Sequence, residues 1–143
     1  MNIQDALLET FATNFVAYYK AHAAHANVVG RNFYSDHKLL ENVYEDLQEQ
    51  IDTLGEFLRT VKAPFPSSLS GVITESRVYD MPFTSDLLET VCEDLETLVE
   101  NYTQLYEVAG NKNIDISNYA QDRIAALNKF IWMLESTTGD RDD

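Results

Sequence analysis

The chain has 143 residues, 45% of them hydrophobic and 24% charged, which is the length and composition of one globular domain able to bury a core. Ten Lys and Arg against 24 Asp and Glu give a formal net charge of −14, so the field around the protein repels nucleic-acid phosphates and anionic lipid and draws in metal ions and basic partners. No apolar run approaches the roughly 20 residues needed to cross a bilayer. Cys92 has no partner for an internal disulfide, and Met1 to Tyr19 contains Asp5 and Glu9 but no Lys or Arg, so the expected setting is soluble and cytoplasmic.

In chain order, Leu8, Phe11, Phe15, Tyr18, His22, His25 and Val29 recur at steps of three and four, predicting the apolar seam of a helix over about 3–29 that Gly30 ends. A second helix, about 33–61, carries Phe33, His37, Leu40, Tyr44, Leu47, Ile51, Leu54, Leu58 and Val61 on its seam and stops before Pro64 and Pro66. Thr84 or Ser85 is expected to cap a third, 84–109, with seam residues Leu88, Val91, Leu95, Leu98, Tyr102 and Leu105. Gly110 and Asn111 end it. Asp115 or Ser117 starts a fourth, 115–137, with Ala120, Ile124, Leu127, Ile131 and Leu134 facing inward.

Short loops at Gly30–Asn32 and Gly110–Ile114 force antiparallel neighbours, whereas residues 62–83 form a connection of 22 residues. A 28-residue helix is about 42 Å long and an extended 22-residue segment reaches roughly 70 Å, so helices two and three run parallel across a crossover. One long crossover in an all-α four-helix bundle is the ferritin-like topology. Leu69, Val72, Ile73 and Val78 predict a short helix within it. The whole chain, 1–143, reads as a single ferritin-like domain.

His22, His25 and His37 lie within 16 residues, at the end of helix one and the start of helix two. An imidazole on a seam requires a hydrogen-bond partner or a metal; one seam histidine is usually a satisfied core residue, and three together weaken that reading. Helix two then presents Glu41, Glu45, Asp52 and Glu56 on one face, where like charges four apart cost a few tenths of a kcal/mol each unless a cation offsets them. Imidazole and carboxylate at helical spacing suit Fe, Mn or Zn, and the lack of thiolates argues against structural zinc. No Glu-x-x-His motif is present, so the usual di-iron site at the centre of a bundle is not expected.

The run from His25 through Gly30, Phe33 and His37 to Glu41, followed by Asp52-Thr-Leu-Gly-Glu56, resembles the signature of the Dps miniferritins, the DNA-binding proteins from starved cells. The segment Asn128-Lys-Phe-Ile-Trp-Met-Leu-Glu135 is similar to that family's closing helix. The resemblance implies a shell of twelve subunits, a homo-oligomeric dodecamer, that oxidises iron(II) at sites shared across a two-fold axis, two irons per site, with hydrogen peroxide as oxidant, and stores iron(III) in its hollow interior. His25, His37 and Glu41 would come from one subunit and Asp52 and Glu56 from its partner; His22 and Glu45 are accessory candidates, and Zn or Mn can substitute for iron. Within one chain Asp52 is about 22 Å along the helix from His37, too far to share a metal.

The chain departs from the family pattern at several positions. Ala26 stands where a tryptophan usually follows the first ligand histidine, and Glu41 replaces a more usual aspartate. The acidic lining of the three-fold iron pore is reduced mainly to Asp115 and Asp122. Gly55 weakens helix two by about 1 kcal/mol relative to alanine. The family's lysine-rich DNA-binding tail is absent from Met1–Thr10, and Gly139–Asp143 is net acidic, so DNA binding is not expected. The alternative function is a cage of the same fold that does not turn over iron.

Overall fold

The computed structural model describes residues 1–83 and 86–139. Five helices follow in order: α1 (Ile3–Asn27), α2 (Phe33–Thr60), α3 (Leu69–Glu75), α4 (Leu87–Ala109) and α5 (Ile114–Thr138). The expected bundle with its crossover is present, with α3 as the short helix outside it. Among the described residues no helix is long and apolar enough to cross a membrane.

The core is built where α1 lies against α2 and α4, and where α4 lies against α5. The expected seam of α4 is buried throughout, from Leu88 to Leu105, and α2 buries Leu40, Leu47, Leu54 and Leu58 as its periodicity requires. Helix α1 differs. Its fully buried stripe is Leu7, Phe11, Ala17, Ala21, Ala24 and Val28, while Leu8, Phe15, Tyr18, His22 and His25 are only half-buried and Val29 is 87% exposed. Two helices press on α1 at once, so its contact line falls on the alanines that permit close approach, and the larger side chains are turned to the flank.

The helix ends also refine the expectations. Helix α1 stops at Asn27, with Val28 extended as its C-cap; Gly30, at φ +110°, belongs to the turn beyond, which reverses the chain into α2. Helix α2 ends ahead of the prolines: Lys62 adopts φ +69°, its N–H bonds Arg59 O at 3.1 Å and the Ala63 N–H bonds Leu58 O at 2.9 Å, a Schellman closure with lysine in the position glycine usually takes. Thr84 and Ser85 lie outside the described residues, and α4 is capped by Asp86, whose carboxylate accepts from the Glu89 N–H. Asn113, not Asp115 or Ser117, is the N-cap of α5; Ser117 instead donates to Gly110 O and Ile114 O.

The crossover is tied down by specific contacts. Ser68 caps α3, the Arg77 N–H donates to Thr13 Oγ1, and the Arg77 guanidinium donates to Asn101 Oδ1, whose own amide donates to Glu9. Asn101 is thus buried at 1% exposure, and the Asn101-Tyr-Thr103 sequence is closed to glycosylation. Phe65 packs edge-on to Phe11 with ring centroids 5.2 Å apart and lies over Gly55. The glycine inside α2 is the notch that admits this ring.

Candidate metal centre

The α1–α2 turn brings His25 and His37 face to face. Their rings stack with centroids 3.7 Å apart and planes at 20°. Each Nδ1 meets the other residue's carbonyl oxygen, His25 Nδ1 to His37 O at 2.9 Å and His37 Nδ1 to His25 O at 2.7 Å. A carbonyl only accepts, so both Nδ1 atoms carry protons, and in the neutral rings the lone pairs are on both Nε2 atoms. The clasp uses a carbonyl that the end of α1 would otherwise leave without a helical partner. It fixes tautomer and ring orientation together, as outer-shell hydrogen bonds do for metal-binding histidines.

Glu41 lies one turn beyond His37. One ligand atom from each of His25, His37 and Glu41 lies within 4.8 Å of the others, and all three residues are half-buried. Lys38 hydrogen-bonds the Glu41 carboxylate at 3.3 Å and holds its pKa below the usual carboxylate range, so Glu41 is an anion at neutral pH. Phe33 stacks on the other side of His37 at 4.9 Å, and Tyr44 sets its ring edge-to-face against His25 at 4.9 Å. Burial raises the Tyr44 phenol above its usual pKa, with Glu41 and Glu45 adding to the effect. Two imidazole Nε2 atoms and one carboxylate with aromatic walls form a half-shell, with three ligands where tetrahedral or octahedral metals need four to six.

The other sequence candidates are outside that group. His22 accepts or donates at Nδ1 with the Tyr18 hydroxyl, 3.0 Å away, and its ring is stacked on Tyr44 at 3.9 Å. Glu45, Asp52 and Glu56 are exposed on α2, and Asp115 and Asp122 are exposed on α5. The reciprocal histidine clasp is beyond the reach of sequence reasoning, because side-chain to carbonyl bonds across a turn leave no periodic trace.

The centre of the bundle is filled by a different chemistry. Arg123 on α5 forms a two-pronged ion pair with Asp46 on α2, at 3.1 and 2.5 Å, and its guanidinium lies 5.8 Å from the Tyr102 ring centroid. Tyr119 donates to Gln50 Oε1 at 2.6 Å and meets the Tyr102 hydroxyl at 3.4 Å. Burial pushes both phenols well above their usual pKa. For Arg123 burial acts against the charge, but the hydrogen bonds to Asp46 outweigh it and the guanidinium is held protonated. The space between α2 and α5 is therefore occupied by a hydrogen-bonded polar cluster in which the buried Arg123 Nε is left without a partner. Cys92 is buried and its thiol is pushed up to about 11 by burial and surrounding glutamates, which leaves it protonated and inert.

Comparison with known proteins places the fold in a family. Residues 4–141 match the ferritin-like domain family. The DNA protection during starvation protein of Helicobacter pylori is 32% identical over 130 residues, 87% of this chain and 90% of that protein. Its counterpart in Listeria innocua is 27% identical over 145 residues, 97% of this chain and 89% of that one. The crystal structure of the Dps protein of Vibrio cholerae, described as a member of a superfamily of ferritin-like diiron-carboxylate proteins, superposes with a TM-score of 0.88 at 26% identity, covering 95% of this chain and 88% of that one. With the crossover bundle, the His25–His37–Glu41 half-shell and these matches along nearly the whole length, the chain belongs to the ferritin-like domain family and, within it, to the Dps proteins.

Proposed function

We propose that this chain is the subunit of a cytoplasmic miniferritin shell that oxidises iron(II) with hydrogen peroxide and stores the iron(III) product, protecting the cell from peroxide and free iron. The observation that carries the reading is the half-shell: two Nε2 lone pairs preset by the histidine clasp and an ionised Glu41 converge at a half-buried surface and leave coordination positions open. The missing ligands are supplied by Asp52 and Glu56 of a two-fold-related subunit, giving room for two irons between five side chains. Mixed imidazole and carboxylate donors hold iron(II) without the closed geometry of a structural site, so oxidised iron can move on to a mineral. Zn and Mn compete for the same donors.

Exposed apolar side chains support assembly. Tyr19, Val29, Tyr34, Leu69, Tyr79 and Trp132 each expose more than half their surface in the single chain. A dodecamer of closed point symmetry covers them and completes each site. Light scattering is expected to give about twelve times the 16.3 kDa chain mass. Stopped-flow mixing of iron(II) and peroxide is expected to give fast oxidation that is lost when His25 and His37 are both replaced by alanine. A stable monomer, or a double variant as active as the parent, refutes the reading. An assembled parent protein that leaves iron(II) unoxidised supports the inert-cage alternative, for which Ala26 beside His25 and the sparse pore acids Asp115 and Asp122 speak.

A further inference from the structure

The His25–His37–Glu41 half-shell gathers electron-pair donors, and neither imidazole has an Nδ1–H free for the carboxylate. Each is spent on the opposite residue's carbonyl, at 2.9 and 2.7 Å. Among the described residues, Lys38 is the one side chain that hydrogen-bonds Glu41, with Nζ 3.3 Å from Oε2. It stands one turn before Glu41 on α2, and the negative charge of Glu45, two turns beyond it, adds to the attraction on the ammonium.

The lysine is held loosely. Its side chain is 49% exposed against 28% for Glu41, so the ammonium keeps contact with water while the carboxylate is partly covered. A pair of this kind separates readily, because a flexible four-carbon stem returns the ammonium to full hydration. A divalent ion therefore meets Lys38 as a competitor for Glu41. Bonded to the carboxylate at about 2 Å, such an ion would stand roughly 5 Å from an ammonium kept in place, and at low ionic strength the repulsion there is worth about ten-fold in affinity.

We infer that Lys38 is the resident counter-cation of the empty metal centre: its ammonium holds Glu41 until a divalent ion displaces it, and it retakes the carboxylate when the ion leaves. The lysine lowers the affinity of the centre for every divalent ion, which suits a site that passes its iron on rather than keeping it. Lys38 takes no part in the oxidation and is a positioning residue that acts through Glu41. This role rests on the iron-oxidation reading of His25, His37 and Glu41.

The test titrates cobalt(II), whose visible absorption reports ligation, into the assembled metal-free protein at low salt. Lys38→Met keeps an unbranched apolar side chain, removes the charge, and is expected to bind cobalt(II) roughly three- to ten-fold more tightly than the parent and to yield it more slowly to a chelator. Lys38→Arg keeps the charge and is expected to behave as the parent does. Lys112→Met removes the same charge from an exposed position in the α4–α5 turn, at the opposite end of the bundle, and is also expected to keep the parent affinity. If Lys112→Met tightens binding as much as Lys38→Met does, net charge alone is responsible and the inference falls. It falls as well if Lys38→Met binds no more tightly than the parent; weaker binding would mean that Lys38 orients Glu41 for the metal instead of competing with it. Alanine at both His25 and His37 is expected to abolish the cobalt(II) spectrum. A double-histidine variant that still binds as the parent does overturns the metal-centre reading and the inference together, whereas an unchanged Lys38→Met beside a non-binding histidine variant overturns the inference alone.

Discussion

Gly55 offers the sharpest test of how the crossover is seated against the helix that carries His37, Glu41, Asp52 and Glu56. In an ordinary helix interior, glycine to alanine stabilises by about 1 kcal/mol. Here a methyl group at Gly55 would overlap Cδ2 and Cε2 of Phe65 and stand 3.1 Å from its Cζ, so the ring must swing away. That displacement forfeits the edge-to-face contact with Phe11, about 0.5–1.5 kcal/mol, and the partial burial of a phenylalanine that is 44% exposed, about 1–1.5 kcal/mol. Set against the helix gain, Gly55→Ala is expected to destabilise by about 1 kcal/mol, roughly 4 °C in melting temperature for a chain of this size. In a Phe65→Ala background the obstacle is gone, and the same substitution is expected to stabilise by about 1 kcal/mol. Urea denaturation of the four proteins of this cycle gives the coupling. A Gly55→Ala protein stabilised equally in both backgrounds would show that Phe65 does not press on this position and would refute the packing account of the glycine.

Other outcomes follow from the charged groups. Arg123→Leu strands a mostly buried Asp46 and is expected to cost about 3 kcal/mol by chemical denaturation, whereas Arg123→Leu with Asp46→Leu is expected to recover most of that loss. Lys20 and Asp94 form an ion pair at 2.9 Å in which burial raises the Asp94 pKa; its folded value lies above the unfolded one, so the folded state binds the proton more tightly and stability attributable to this group rises as pH falls. Lys20→Met removes the opposing cation and raises that pKa further, so its deficit against the parent, measured by urea titration, is expected to shrink from about pH 7 to about pH 4. Asp52→Ala with Glu56→Ala relieves like-charge repulsion one turn apart and is expected to raise the melting temperature slightly while abolishing iron oxidation in stopped flow. Duplex DNA at about 150 mM salt is expected to migrate unshifted with this protein, because ten basic residues against 24 acidic ones give a net charge of −14 that repels the phosphate backbone; a persistent shift contradicts this.

Periodicity alone was enough to read four long helices, their short turns and the long crossover, because each helix must bury one stripe and each turn must be spanned by few residues. The α4 seam from Leu88 to Leu105 is the clearest case: one face of a two-sided pattern has a single place to go. His22, His25 and His37 were legible as neighbours because they flank one short loop, while the grouping of His25 and His37 with Glu41 followed only from the family resemblance. What tertiary structure decided is where two neighbours compete for one helix. Simultaneous contact of α2 and α4 with α1 moved its buried stripe onto Ala17, Ala21 and Ala24 and turned Tyr18, His22 and His25 to the flank, where His25 stands half-buried beside His37 and Glu41. The exchange of hydrogen bonds between each imidazole and the opposite carbonyl likewise depends on two backbones meeting in space, as does the ring of Phe65 settling into Gly55. Hydrophobic spacing along a chain records which residues avoid water; it carries no information about which side chain a particular polar atom or glycine will meet, and that is settled only when the helices pack.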